Sequence, residues 1–448
     1  MNATLRRSAL ATAGARRAEA TFRAFSAAAA GREAVAFVWA APGPAGDGGP
    51  LAPLAADALA ALGLAPSPLA PEPPLAAART PREALRAAAR DRRRSARALA
   101  ATPLAARARQ VLERGAIEAA RRAAVVRRRP AAYAGALHGA GLAALRAALP
   151  AEWSPTQLEE WARCPFRLLL GLGVRLDEPA EEGLDIEVRD EGSLLHAVLE
   201  RFVRDRAARH AWPPAGDAAD LAEARAAAAE VLATFERAGR TGDPAVWAAR
   251  REAVLARLDR VVRAEADGPR DVAPALLEHA FGGRSGRPPL ELAAGGEAVR
   301  LRGRIDRVDA GPSRLLVLDY KNSKGNGLAD RLDPEAFGET SFQIPTYLLA
   351  AARDLPGRPR VDATYAVLRS AERLAPVELD GTALPHLSPT GEGGGEGKSR
   401  SFATAVVDAV ATIRRGRLPI ASRRCAYCSY GAVCRFEGVA AQGEEEGA

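Results

Sequence analysis

The sequence predicts an α/β protein in which a mainly helical N-terminal region precedes a small sheet flanked by helices. Apolar residues have helical spacing through 80–148 and 192–266, whereas the segments between 275 and 320 are short and partly alternating. The 448 residues, 48% of them apolar, are enough for several domains with buried cores. Since no stretch reaches the roughly 18 uninterrupted apolar residues of a membrane span, we expect a soluble, cytoplasmic protein without a membrane partner.

The first third of the chain carries the positive charge. Residues 1–150 contain 23 arginines and 9 acidic residues, a net charge of +14, whereas the remaining residues sum to −6. Residues 1–75 indicate a short α/β piece followed by a Pro/Gly-rich linker, and residues 76–150 indicate a basic helical region. The charge favours a polyanionic partner, although arginines on the solvated faces of Ala-rich helices explain it equally well.

Residues 151–438 predict a further domain, which an acidic tail at 439–448 follows. Ser154 and Pro155 have the pattern of a helix start, and we expect this helix to end near Leu170. Helical spacing then continues from 192 to 266, with breaks at Pro213 and Gly242. Strands are predicted at 275–282, 290–293, 299–308, 315–320 and 360–368, and further helices at 342–353 and 401–415.

The four cysteines fit one ligand pattern. Cys425, Cys428 and Cys434 lie within ten residues of one another, and Cys164 lies about 260 residues earlier. A CxxC pair lets two thiolates reach one centre from a single turn. Four thiolates suit either a tetrahedral zinc ion or a four-iron cluster, and the spacing does not select between them. Either site would tie the two ends of the domain together.

An apolar predicted strand ends in Asp319 and Lys321, whose side chains point to the same face because strands alternate. Only three of the 63 basic residues are lysines, so a lysine here suggests a role that arginine cannot fill. Antiparallel pairing through the turn at 310–313 would place Asp306 beside Asp319. Two carboxylates suit Mg²⁺, and the amine can orient or deprotonate a water. The alternative is a simple surface ion pair.

Six motifs occur together in one order. They are SPTQLEEWARCPFRLLL, GSLLHAVLERF, GRIDRVD, LDYKNSK, FQIPTYLLA and the closing CxxCxxxxxC. With these motifs, residues 154–436 resemble the PD-(D/E)XK nuclease domain of the RecB-like group. The resemblance is to the iron–sulfur type found in the AddB component of AddAB helicase–nucleases and in small CRISPR-associated RecB-like nucleases. It implies a nuclease core of a small mixed sheet flanked by helices.

The resemblance also implies an active site. Asp306 and Asp319 would be the metal-binding acids, and His196 would be an additional metal ligand contributed by a helix. Lys321 would position or activate the attacking water. The cofactor at these residues would be Mg²⁺ or Mn²⁺.

Two further sets of residues take their roles from the resemblance. Gln343 and Tyr347, which share a helix face, would support the site and contact DNA. The four cysteines, Cys164, Cys425, Cys428 and Cys434, would ligate a structural 4Fe-4S cluster.

The resemblance implies a magnesium-dependent deoxyribonuclease, which we expect to be an exonuclease. It would act on single-stranded DNA ends in recombinational double-strand break repair, beside a helicase–nuclease subunit of AddA type. Two alternatives stay open: a CRISPR-associated RecB-like nuclease acting in spacer acquisition, and a catalytically inactive iron–sulfur scaffold that binds DNA.

The N-terminal third faintly resembles the end of the helicase-like region that precedes the nuclease in proteins of AddB type. We therefore expect 1–75 to contain a remnant of that domain and the chain to be N-terminally truncated. A phosphate-binding loop of the GxxxxGK[ST] type would be needed for ATP hydrolysis. The candidate ending in Lys398 and Ser399 has Glu392 where glycine is required, so we expect no ATPase activity.

Overall fold

The computed structural model describes residues 102–176, 184–379 and 401–422, with short pieces at 80–81, 83–85, 99, 387, 425 and 428–434. The chain divides into two compact units, Met1–Gly115 and Ala116–Ala448. Three segments discussed above, the predicted linker within 1–75, the phosphate-loop candidate ending in Lys398 and Ser399, and the acidic tail at 439–448, lie outside the described residues. The domain boundaries given above therefore stay predictions.

Helices account for most of the described residues on the N-terminal side of the sheet. They are α1 (Ala105–Val126), α2 (Gly139–Ala148), α3 (Pro155–Arg163), α4 (Val188–Ala208), α5 (Ala218–Arg237) and α6 (Pro244–Ala266). Helices α7 (Gln343–Asp354) and α8 (Phe402–Arg414) follow the central strands. Short helical turns lie at Pro165–Leu168, Leu169–Gly173, Ala329–Arg331, Pro334–Ala336 and Gly431–Cys434. No helix in the described part of the chain has the length and apolar character needed to cross a bilayer.

The main sheet is mixed. The strands are β1 (Ala273–Phe281), β2 (Leu290–Ala294), β3 (Glu297–Leu301), β4 (Gly303–Ala310), β5 (Arg314–Lys321), β6 (Arg360–Val367), β7 (Glu372–Arg373) and β8 (Val377–Leu379). The main sheet has the order β1-β4-β5-β6-β7, and β8 also pairs with β6. The β5–β6 pair is parallel and its other pairs are antiparallel. Strands β2 and β3 form a separate hairpin.

Helices cover both faces of the main sheet, which explains why β5 and β6 are buried almost throughout. On one face, apolar residues of α7, α8 and the β2–β3 hairpin pack against strand residues such as Val317. On the other face, α4, α5 and α6 pack against residues that include Tyr320. Neighbouring residues near the end of β5 therefore face two different environments.

The segment 299–308, predicted as one strand, is divided at Arg302 between the hairpin strand β3 and the sheet strand β4. Arg302 leaves both ladders and donates its N–H to the carbonyl of Trp153, at 2.8 Å. Gly303 starts the new strand where a Cβ would lie 2.7 Å from the ring of Phe281. The apolar pattern continues across the break, so periodicity could not reveal it.

The helix predicted from Ser154 to about Leu170 ends earlier, at Arg163. Its start is as predicted: the Ser154 side chain accepts from the N–H of Gln157, whose side chain accepts from the N–H of Ser154. Its end follows from Cys164-Pro165, since a residue before proline avoids the helical region. Cys164 accordingly has φ −165° and ψ 113°.

Candidate active site

The polar end of β5 forms one half of the site. Asp319 is buried, and its carboxylate lies 2.5 Å from Lys321 Nζ. Gln343, on the first turn of α7, accepts from Lys321 Nζ at 2.9 Å and donates Nε2 to Asp319 at 2.9 Å. The same amide donates to the Tyr347 hydroxyl one turn later, at 3.2 Å. The side-chain amide of Gln343 thus makes hydrogen bonds with Asp319, Lys321 and Tyr347.

The other half of the site lies on β4 and α4. Asp306 Oδ2 accepts from the backbone N–H of Tyr320 at 2.7 Å. The His196 ring lies with Nε2 3.0 Å from the Tyr320 carbonyl and Nδ1 3.5 Å from Asp306 Oδ1. The carbonyl therefore holds the proton on Nε2 and leaves Nδ1 directed at the acid, which is the orientation a metal-binding histidine needs.

Tyr320 is fixed from the opposite face of the sheet. Its hydroxyl accepts from Arg307 Nη1 at 3.2 Å. Arg307 is buried, makes a two-bond pair with Asp309 at 2.5 and 2.6 Å, and lies 4.3 Å from the centre of the Trp212 ring. The backbone groups of Tyr320 that contact Asp306 and His196 therefore belong to a residue with a fixed side chain.

Glu278 is a third acid at the site, and sequence reasoning missed it. Its carboxylate lies 3.9 Å from His196 Nδ1 and 3.2 Å from Arg304 Nε. The residue has φ +45°, which is a strained backbone conformation for a glutamate inside a strand. An alternation pattern carries no information on the direction of such a residue, so only the folded structure could reveal it.

Burial and repulsion from the charge of Asp306 raise the proton affinity of Glu278 and Asp319. Burial, and after it the charge of Asp306, raises the pKa of Glu278 to about 7. Burial raises the pKa of Asp319 to about 6, although the Lys321 ammonium acts in the opposite direction. Burial lowers the pKa of His196, but hydrogen bonding and the charge of Asp306 outweigh it and raise the pKa overall. Protons therefore leave Glu278, Asp319 and His196 at higher pH than they leave the same groups in the unfolded chain.

The donor set fits a hard divalent cation. Among the described residues, one ligand atom each from His196, Glu278 and Asp306 lie within 4.8 Å of one another. Carboxylate oxygens with one imidazole nitrogen suit Mg²⁺, Mn²⁺ and related ions. Asp319, on the adjacent strand, is directed instead at Lys321 and Gln343.

The PD-(D/E)XK nuclease superfamily model matches residues 152–435, well over half of the chain. These residues contain α3 to α8, the whole sheet and every site residue described above. The chain belongs to the PD-(D/E)XK nuclease superfamily. The fold that the motif resemblance implied, a mixed sheet flanked by helices, is therefore confirmed.

Two individual proteins illustrate the sequence similarity of this PD-(D/E)XK domain to known proteins. One is the B subunit of the ATP-dependent helicase/deoxyribonuclease of Moorella thermoacetica, to which the chain is 32% identical over 222 residues, 46% of this chain and 18% of the relative. The protein of the same name from Desulforudis audaxviator is 33% identical over 210 residues, 45% of this chain and 17% of the relative. The matched region is thus less than a fifth of either relative.

The four cysteines of the PD-(D/E)XK domain form no disulfide in the part of the chain that the structure describes. Arg167, three residues after Cys164, donates to Cys428 Sγ at 3.7 Å. The Tyr430 hydroxyl donates to the Leu176 carbonyl at 2.9 Å. The C-terminal cysteine segment therefore packs along the residues that follow Cys164. Among the described residues the cysteine sulfurs form no ligand group of three or more within 4.8 Å of one another, so a shared four-thiolate site stays a prediction.

The predicted site residues meet as follows. The structure brings them together in two groups on neighbouring elements. In the first group, His196 contacts Asp306. In the second group, ion-pair and hydrogen-bond contacts join Asp319, Lys321, Gln343 and Tyr347. The antiparallel pairing expected to bring Asp306 near Asp319 is present between β4 and β5. Their roles in catalysis and metal binding stay predictions.

Proposed function

We propose that this chain supplies a metal-dependent deoxyribonuclease activity, which hydrolyses phosphodiester bonds in DNA. The observation that supports it most directly is that Asp306 accepts from the backbone N–H of Tyr320, the residue between Asp319 and Lys321. Asp306 and His196 provide ligand atoms for a cation beside a buried acid, Asp319, that is paired with Lys321. Family membership and the names of the relatives agree with this assignment.

His196, Asp306 and Glu278 offer the ligand atoms that would hold Mg²⁺ or Mn²⁺. Asp319, which contacts Lys321 and Gln343 in the metal-free protein, would join them as the acid of the neighbouring strand. When bound, such an ion polarises a phosphodiester and lowers the pKa of a water molecule. The backbone of Tyr320 orients His196, and Arg304 holds the second oxygen of Glu278 at 3.2 Å. The chain thus fixes the direction of the donors before any ligand arrives.

Lys321 would orient the attacking water and take part in its deprotonation. Its ammonium group is held between Asp319 and Gln343 and lies 5.5 Å from the centre of the Tyr365 ring. These three contacts restrict a flexible side chain to one position. Because catalysis of this kind depends on positioned charge, the restriction favours rate more than substrate affinity.

We further propose that Cys164, Cys425, Cys428 and Cys434 ligate a structural 4Fe-4S cluster. The approach of the C-terminal cysteine segment to the residues after Cys164, in the contacts of Arg167 with Cys428 and of Tyr430 with Leu176, supports this proposal. Anaerobic purification should give a brown protein with about four iron atoms per chain. A colourless protein that contains one zinc ion would contradict the cluster.

The biological role is inferred from the named relatives. Their names describe them as one component of an ATP-dependent helicase/deoxyribonuclease, which links them to a helicase. We propose that this chain degrades single-stranded DNA ends as an exonuclease beside a helicase of AddA type in recombinational repair. These relatives favour that role over CRISPR spacer acquisition. The contacting acids and lysine favour it over an inactive scaffold.

The activity can be tested with Lys321→Met and a matched variant, Lys324→Met. Lys324 lies three residues after Lys321, the last residue of β5, and is exposed. With single-stranded DNA and Mg²⁺, Lys321→Met should lower kcat at least about 100-fold, whereas Lys324→Met should retain the wild-type kcat. Equal rates for Lys321→Met and the wild type, or cleavage that persists in EDTA, would contradict the proposal.

A further inference from the structure

Helix α7, which carries Gln343 and Tyr347, begins without a cap from its own sequence. Its N-cap residue is Phe342, which provides no side-chain acceptor, and its first turn has no acidic residue. Phe342 is fully buried, and its ring centre lies 6.0 Å from that of Phe402. The first N–H groups of a helix need acceptors from elsewhere, and phenylalanine cannot supply one.

The missing acceptor comes from Glu159, which lies on α3. Its Oε1 accepts from the backbone N–H of Phe342 at 3.2 Å and from that of Gln343 at 3.0 Å. Its Oε2 lies 3.2 Å from Arg331 Nη1. A carboxylate at this position also interacts favourably with the positive end of the helix dipole. Two elements that are 183 residues apart in the chain are joined in this way.

Glu159 makes this contact at the first turn of α7, which carries Gln343. Gln343 is both a residue whose N–H is held by Glu159 and the residue whose amide joins Lys321 to Asp319. The two hydrogen bonds that the Gln343 side-chain amide makes with Lys321 and Asp319 are 2.9 Å long, so a displacement of the helix start by about 1 Å would break them. Helix α3 in turn ends just before Cys164, next to the segment against which the C-terminal cysteines pack.

We propose that Glu159 is a positioning residue of the nuclease. By accepting from the first N–H groups of α7, a contact called the clamp below, Glu159 fixes the position from which Gln343 contacts Lys321 and Asp319. This inference rests on the proposed function for its effect on rate. The clamp consists of two hydrogen bonds to backbone N–H groups, and these can be measured without any assay of activity.

Three variants of the full chain separate the clamp from simple stability. Glu159→Ala removes both acceptor atoms and should lower kcat for single-stranded DNA about 10- to 100-fold, with KM changed less than about threefold. Glu159→Gln keeps an Oε1 acceptor and loses the ion pair with Arg331 and the negative charge at the helix start, so its kcat should stay within about threefold of the wild type. Glu159→Asp keeps the charge but is one methylene shorter, and it should behave like Glu159→Ala.

A matched control removes a cap from a helix that carries no site residue. Ser401 caps α8, because its side chain accepts from the N–H of Thr404 at 3.2 Å. Ser401→Ala should lower Tm to a similar extent as Glu159→Ala and leave kcat unchanged. A general loss of stability would instead lower kcat in both.

Hydrogen–deuterium exchange of peptides that cover 340–350 gives the second readout. In Glu159→Ala the amides of Phe342 and Gln343 should exchange roughly tenfold faster, and in Glu159→Gln at the wild-type rate. If Glu159→Ala does not fold, Glu159→Asp takes its place in both measurements.

Wild-type exchange and wild-type kcat in a folded Glu159→Ala variant would overturn the clamp, as would a Glu159→Gln variant as impaired as Glu159→Ala. A wild-type protein that cleaves no DNA would contradict the proposed function, while the exchange measurement would still decide whether the clamp exists.

Discussion

At the scale of single residues, two acids of the site, Glu278 and Asp319, hold protons more tightly than usual. The pKa of Glu278 is raised to about 7 from an ordinary 4.5, and that of Asp319 to about 6 from 3.8. In the metal-free protein the folded state then binds more protons than the unfolded state. The stability that these protons contribute is present at acid pH and is lost as pH rises, from 3.8 to about 6 for Asp319 and from 4.5 to about 7 for Glu278. The raised pKa of His196 acts in the same direction.

This sign leads to a prediction about metal binding. A cation takes the place of the protons, so Mn²⁺ should raise Tm more at about pH 8 than at about pH 5.5, measured by differential scanning fluorimetry. Glu278→Gln should reduce both the pH dependence of Tm without metal and the Mn²⁺ shift. An equal Mn²⁺ shift at the two pH values would show that the acids do not hold the ion.

The residue scale also marks the limits of sequence reasoning. Asp306, Asp319 and Lys321 could be predicted because strand alternation and a short turn place them together. Glu278 could not, since its direction depends on a left-handed backbone at φ +45°. Glu159 could not either, because its partners are the N–H groups of a helix 183 residues later.

At the scale of secondary structure elements, the sheet depends on a close approach at Gly303. A Cβ there would lie 2.7 Å from the buried Phe281 ring and 3.1 Å from the ring of Tyr347. Gly303→Ala should therefore lower the free energy of unfolding by about 1–3 kcal/mol, measured in urea. Gly141→Ala is the control, because its Cβ would meet nothing closer than 3.9 Å inside α2. It should stabilise the protein by about 0.5–1 kcal/mol, and destabilisation in both would argue against the packing explanation.

The elements themselves were largely predictable from periodicity and breakers. Helices α4, α5 and α6 occupy the stretch predicted as helical, with the breaks near Pro213 and Gly242. The two errors, the strand at 299–308 and the helix beyond Arg163, share a cause. In each case a local backbone requirement, at Gly303 or before Pro165, interrupted an apolar pattern that continues on both sides.

At the scale of the whole molecule, the distribution of arginines suggests where DNA is held. Most arginines of α4 to β7 that the structure describes form ion pairs with acids. Arg127, Arg128 and Arg129, which follow α1, are exposed and pair with no acid among the described residues. The nearest acidic residues in the chain are Glu118 and Glu152. These three guanidinium groups are therefore available to phosphates.

Replacing all three with glutamine should weaken binding of single-stranded DNA and reduce the slope of log K against log salt by about 2. Fluorescence anisotropy over a salt range of roughly 50–300 mM measures both quantities. The matched control replaces Arg201, Arg204 and Arg209, which pair with acids on α4 and α5. An unchanged slope in the first variant would place the DNA elsewhere.

The packing of the cysteine segment against the residues after Cys164 also has a consequence during synthesis on the ribosome. Arg167 meets Cys428 only after 261 further residues have been added. At ordinary translation rates of about 5–20 residues per second, this interval is roughly 13–50 s. During this interval the segment after Cys164 lacks the segment against which it packs in the folded protein.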